Sequence, residues 1–161
     1  IRDRVIATHA DEALSILEKP TDEEKNLLSN FKYKNNLAVI HTDKNQMPRN
    51  KKAWSAWNAK LNKNVRENSS ITYWLNLLQN LKIDEDIFLS LNPFDKIEEK
   101  KILNKVTFTH PYYDKLALEN QARLKKIQNV NNTLFCGSYF GYGFHEDGIT
   151  SAIDMLKSFH D

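Results

Sequence analysis

The apolar positions of this chain change spacing three times, and each spacing predicts a different kind of element. Arg4-Val5-Ile6-Ala7-Thr8 is a short, mostly apolar run that reads as a strand. Ala10, Ala13, Leu14 and Leu17 then recur at three- and four-residue spacing. They form the stripe of an amphipathic helix whose first turn carries Asp11 and Glu12, where acids suit the dipole. Pro20 breaks that helix, and Thr21-Asp22-Glu23-Glu24 is a capping-box pattern opening a second one through Leu27 and Leu28. Beyond Phe31 the pattern shifts to short runs rich in β-branched and aromatic residues: Leu37 to Thr42, Trp54 to Trp57, Ser70 to Leu75 and Ile87 to Leu91. Four or five strands with no helix between them predict an antiparallel sheet, which needs no crossover connections. Residues 75–81 fit either a continued strand or a short helix. The polar residues 62–68 read as a hairpin loop, and the charge-dense residues 95–104 as a solvent-facing connection or a poor helix. After Pro111 the helical period returns at Tyr113, Leu116, Ala117, Leu124 and Ile127, with Asn120 interrupting the stripe.

The stretch from Thr133 to Ile149 holds all four glycines of the protein. It reads as a short buried strand over Leu134 to Cys136, a Gly-rich turn, and a helix starting near Asp147 or Gly148. Ile149, Ala152, Ile153, Leu156 and Phe159 give that helix one apolar stripe. A strand, a turn and a helix start in this order expose backbone N–H groups at the positive end of a dipole, a place for a negative or electron-rich group. The same spacing also fits a plain strand-to-helix connection whose glycines only make the turn.

Composition narrows the function classes. A 161-residue chain with 40% hydrophobic content can build a core, and a formal net charge of +2 gives no reason to expect nucleic acid. Basic runs such as Arg49 to Lys52 read as a solvated face. The single cysteine, Cys136, cannot form an internal disulfide, which suggests a reducing, cytoplasmic setting; its apolar surroundings favour packing over reactivity. No apolar run reaches the length of a membrane span. The five histidines are scattered without metal-ligand spacing, and no Gly-x-Ser-x-Gly elbow occurs. Gly141 and Gly143 begin a dinucleotide-type glycine pattern, but Glu146 stands where the third glycine belongs.

Phe135-Cys136-Gly137-Ser138-Tyr139-Phe140-Gly141-Tyr142-Gly143-Phe144-His145-Glu146-Asp147-Gly148 resembles the C-terminal signature of bacterial NAD/FAD-binding proteins related to the flavin-containing amine oxidases. That branch is associated with cyclopropane-fatty-acid synthases. Further blocks occur upstream in the family's order: Val5 to Asp11, His41-Thr42-Asp43, Met47-Pro48, Trp54 to Asn58, Thr72 to Asn76, Leu91-Asn92-Pro93 and His110-Pro111. The resemblance implies an α/β flavoprotein, α+β when taken as a fragment. On that reading the chain is the C-terminal part of a two-domain, Rossmann-type FAD-binding protein. Residues 1–30 and 111–161 would belong to the FAD domain, and residues 31–110 to an inserted antiparallel substrate domain. It implies FAD as cofactor, approached by Ala7, Thr8, His9, Gly137, Ser138, Tyr139, Gly143, Glu146, Asp147, Gly148 and Ile149, with the amides of Gly148 and Ile149 facing the electron-accepting edge. Relatives often carry an acid where this chain has Ser138.

His41, Trp57, Asn58 and Tyr73 are the expected substrate-side residues, with Trp57, Tyr73 and His41 on one sheet face. His145, Glu146 and Tyr73 are the catalytic candidates, although His145 and Glu146 equally suit a helix cap. The implied activity is oxidation or dehydrogenation of an apolar or lipid-linked small molecule. The strand at Val5 is expected to lack partners within this sequence and a full glycine fingerprint is absent, so these residues alone are expected to hold FAD weakly or not at all. The rival expectation is a non-catalytic binding or scaffold module with the same fold.

Overall fold

The computed structural model describes residues 4–61 and 69–157. The expected hairpin loop at 62–68 and the stripe position Phe159 lie outside the described residues. In chain order the elements are β1 (Arg4–Ile6), α1 (Ala10–Ile16), α2 (Asp22–Leu28), β2 (Lys32–His41), β3 (Trp57–Leu61), β4 (Ser69–Trp74), α3 (Leu75–Leu78), β5 (Phe88–Leu91), β6 (Ile102–Tyr112), α4 (Lys115–Gln121), β7 (Thr133–Phe135) and α5 (His145–Lys157). The fold is mixed α/β, with a five-stranded sheet in the order β3-β4-β5-β2-β6 and a two-stranded parallel sheet of β1 and β7. The β3–β4, β4–β5 and β2–β5 pairs of the larger sheet are antiparallel, and β1, expected to lack a partner, pairs in parallel with β7. Two compact units result, one from Ile1–Lys34 and Pro111–Asp161, the other from Asn35–His110.

In the first unit, Ile6 and Phe135 point from the parallel pair into a core with Ala10, Ala13, Leu27 and Leu124. Leu134 and Cys136 point the other way, onto Met155 of α5. This is the period-2 alternation of a strand covered on both faces. The helix starts follow local chemistry. The Thr21 hydroxyl accepts from the Glu24 amide at 3.1 Å while the Glu24 carboxylate accepts from the Thr21 amide at 2.6 Å, the predicted capping box. Asp114 caps α4 by accepting from the Ala117 amide at 2.9 Å. The expected helix from Tyr113 to Ile127 is divided into α4 and a 3-10 turn over Leu124–Ile127. Asn120 sits near the break: it is buried, donates to the Leu116 carbonyl at 2.9 Å and accepts from Arg123. A side chain bonded back onto the preceding turn competes with helix continuation.

The second unit is built on the sheet. Residues 75–78 are helical because the β4–β5 ladder ends at the Trp74–Phe88 pair. Residues 102–112, of which 102–104 read as connection, form the long edge strand β6, exposed along most of its length. Val106 and Phe108 alternate there with Thr107 and Thr109, but the alternation is short, follows a charge-dense run and buries little.

Candidate functional site

The parallel pair brings the two ends of the first unit together. The Cys136 amide donates to the Ile6 carbonyl at 3.1 Å, so Ala7-Thr8 and Gly137-Ser138 leave the sheet at the same carboxyl edge. In open α/β sheets this edge is where ligands bind. The contact is close: a Cβ added at Gly137 would lie 3.1 Å from the Thr8 carbonyl oxygen and 2.7 Å from the Tyr139 ring. Of the residues the resemblance assigned to a cofactor, Ala7, Thr8, Gly137 and Ser138 therefore meet at one edge.

The turn that follows is closed by Asp147. Its carboxylate accepts from the amides of Tyr142 at 3.0 Å and Phe144 at 2.8 Å. A Cβ on Gly141 would stand 2.3 Å from the same carboxylate, so that glycine makes room for Asp147. At Gly143, with φ +92, the backbone itself favours glycine, and a Cβ would press on the Tyr113 hydroxyl at 3.0 Å. The amides of Gly141 and Gly143 both donate to the Ser138 carbonyl at 3.1 Å, and that of Gly137 to the Ser151 hydroxyl at 2.9 Å. Most of the turn's donors are thus used within the turn.

Two expectations for this region change. The helix begins at His145, two to three residues earlier than its sequence suggests. The Gly148 amide consequently donates to the Phe144 carbonyl at 3.3 Å, and Gly148 and Ile149 lie in the body of the helix. Among the described residues, the amides at the mouth without a partner inside the helix are those of His145, Glu146 and Asp147, its first three. Tyr139 also differs, because its side chain is buried against Phe31 and Phe140 and leaves only its main chain for a ligand. Burial pushes its phenol well above the ordinary range. His145 and Glu146 are exposed in the first turn of α5.

A cavity of about 270 Å³ flanks α5, lined among others by Gln121, Lys125, Gln128, Asp147 and Asp154. Its amides are already committed. Gln121 donates to the carbonyls of Tyr139 and Gly141. Gln128 accepts from the Phe135 amide at 2.9 Å and donates to its carbonyl at 2.7 Å, as a neighbouring strand would.

In the second unit, register decides which substrate-side residues share a face. Trp57 pairs with Tyr73, Tyr73 with Leu89, and Leu89 with Ile40, which makes one cross-strand row. Ala59, Ile71, Leu91 and Ala38 form the next row on the same face. Trp57 and Tyr73 meet edge to face at 4.9 Å, and Trp57 is 60% exposed. His41 is one residue beyond Ile40 and falls on the opposite face, contrary to expectation. It has no exposed surface. Its Nδ1 accepts from the Asp43 amide at 3.1 Å, which leaves Nε2 as the donor to the Ser90 hydroxyl at 2.8 Å; Ser90 in turn contacts Thr72 at 2.7 Å. Burial lowers its pKa to about 4, which keeps the ring neutral, and with its proton on Nε2 the ring turns no lone pair toward Ser90 to act as a base. Asn58 shares that opposite face and bonds to Ser55 and to the Thr72 carbonyl, which makes it a lock for the start of β3. Trp57 and Tyr73 are the substrate-side residues left together.

The network around Asp43 gave no signal in the sequence. Burial pushes its carboxyl up, but the amides of Asn45 and Glu98 and the Lys101 ammonium more than offset this and hold it below the usual range. Among the described residues no group of His, Cys, Asp and Glu could hold a metal ion, and no helix is long and apolar enough to cross a membrane. Cys136 is buried, and burial raises its thiol pKa. No protein-family model matches the chain, and no curated protein matches it.

Proposed function

We propose that this chain is part of an FAD-dependent oxidoreductase of the amine-oxidase-like kind, acting on an apolar or lipid-linked small molecule. One observation carries the reading: Ala7-Thr8 and Gly137-Ser138 leave a parallel strand pair side by side, next to the start of a 13-residue helix. The resemblance of the 135–148 stretch adds the identity of the cofactor.

The donor set fits a flavin in part. The amides of His145, Glu146 and Asp147 suit an electron-rich edge. The Asp147 carboxylate beside them opposes a second anion, so a carbonyl edge suits this mouth better than a phosphate. The room at Gly137, Gly141 and Gly143 is filled by the chain's own atoms, so those glycines serve the turn. FAD, when bound, would supply the electron transfer itself. The chain's share would be to present these amides, and to offer the Trp57–Tyr73 face as an apolar surface for substrate.

A second reading, a binding module without catalysis, is favoured by the self-satisfied turn. The two separate in the full-length protein. A flavin absorbance band that bleaches on anaerobic reduction supports the enzyme; protein purified without flavin, and unable to take up added FAD, supports the module.

A further inference from the structure

Opposite faces of the β1–β7 pair are covered by different helices. Ala117, Leu124 and Ile127, from α4 and the 3-10 turn after it, pack with Phe135, whereas Met155 of α5 packs on Leu134 and Cys136. At the lateral side of β7, Gln128 takes the place of a neighbouring strand at a single residue, Phe135. Space that a further strand would fill stays open between the helices, and the cavity of about 270 Å³ lies there. It falls just below the range of about 300–1,000 Å³ that drug-sized ligands occupy, so it suits a small molecule and not a dinucleotide. Its apolar lining comes from Ala122, Phe140 and Met155. The polar lining carries charges of both signs, several of them unspent. Among the described residues the Lys125 ammonium and the Thr150 hydroxyl have no partner. Asp147 spends Oδ2 on the amides of Tyr142 and Phe144 and keeps Oδ1 open. Gln121 spends Nε2 on the carbonyls of Tyr139 and Gly141 and keeps Oε1 open. Asp154 is balanced by Lys157 in an exposed pair. An anion alone would meet the Asp147 carboxylate here, and a cation alone would meet Lys125. A molecule bearing both charges satisfies both groups.

We propose that this cavity binds a small zwitterion with an apolar body, the chemistry of an α-amino acid. Its carboxylate accepts from Lys125 and Thr150, its ammonium donates to Asp147 and Gln121, and its side chain lies against Phe140 and Met155. The site goes beyond the flavin reading and does not depend on it.

The test uses the full-length protein, labelled with ¹³C at the methionine methyls and titrated with L-leucine. The Met155 resonance, assigned with Met155→Leu, should shift saturably. L-leucinamide lacks the carboxylate and isocaproate lacks the ammonium. Each should bind at least about tenfold more weakly, the scale of one hydrogen bond to a charged group. Lys125→Met should weaken L-leucine by a similar factor and abolish its advantage over L-leucinamide. The thermal midpoint of that variant should stay close to the parent's, because Lys125 is exposed and its ammonium is unpartnered among the described residues. A Met155 resonance unmoved by L-leucine up to about 50 mM, well past millimolar binding, would overturn the inference. So would equal binding of the three compounds, or a Lys125→Met variant that still prefers L-leucine to L-leucinamide. None of these readouts involves flavin, so the flavin reading stands or falls separately.

Discussion

Asp147 and Gly141 show how a single side chain sets the shape of the glycine turn. The carboxylate holds two amides, and the missing Cβ at Gly141 lets it do so. Gly141→Ala should therefore destabilise the chain by about 1–3 kcal/mol, the usual cost of forced overpacking. The same change in an Asp147→Ala background should cost much less, and a double-mutant cycle in urea reads the difference. His41 makes a second residue-scale prediction. Its folded pKa of about 4 lies below the unfolded value of 6.5, so between these values the unfolded chain binds more protons. Stability from this ring is complete above pH 6.5 and falls as the pH drops toward 4. Between pH 7 and pH 5 the loss should be about 2 kcal/mol, and His41→Gln should remove most of that slope in denaturant unfolding. The position of His41 was not legible in the sequence, because a period-2 strand gives alternation without saying which phase faces the solvent. Only pairing with Leu89 fixes Ile40 outward and His41 inward.

Among the elements, those with their own start signals were legible. The capping box at Thr21, the acids of α1 and the apolar run of β7 all form where the residues indicate. The start of α5 was not, for a physical reason. An Asp ahead of an apolar stripe reads as an N-cap, but Asp147 is the third residue of the helix and reaches back to the Phe144 amide. That reversal moves the open amides from residues 148–149 to 145–147. The edge strand β6 was not legible for another cause, since it is exposed along most of its length and its short Val106–Phe108 alternation follows a charge-dense run. At β7 the lateral edge is closed by Gln128, whose carboxamide pairs with both backbone groups of the buried Phe135. Gln128→Leu would strand that donor and acceptor. It should cost about 2–6 kcal/mol, at about 1–3 for each buried group left unpaired, with faster hydrogen exchange at the Phe135 amide as the local readout.

At the scale of the molecule, an antiparallel sheet unit and a parallel-pair unit carry different parts of the proposed activity. The first offers an apolar face with Trp57 and Tyr73; the second offers a strand edge beside a helix mouth. The sheet and its approximate strands could be read from β-branched and aromatic runs, whereas the partition of substrate-side residues between its faces could not. The proposed flavin faces the helix-mouth amides of His145, Glu146 and Asp147. The most direct measurement is a crystal structure of the full-length protein grown with FAD. The isoalloxazine ring should lie within hydrogen-bonding distance of an amide between residues 145 and 147. A ring bound far from residues 137–147, or a protein that takes up no flavin, would contradict it.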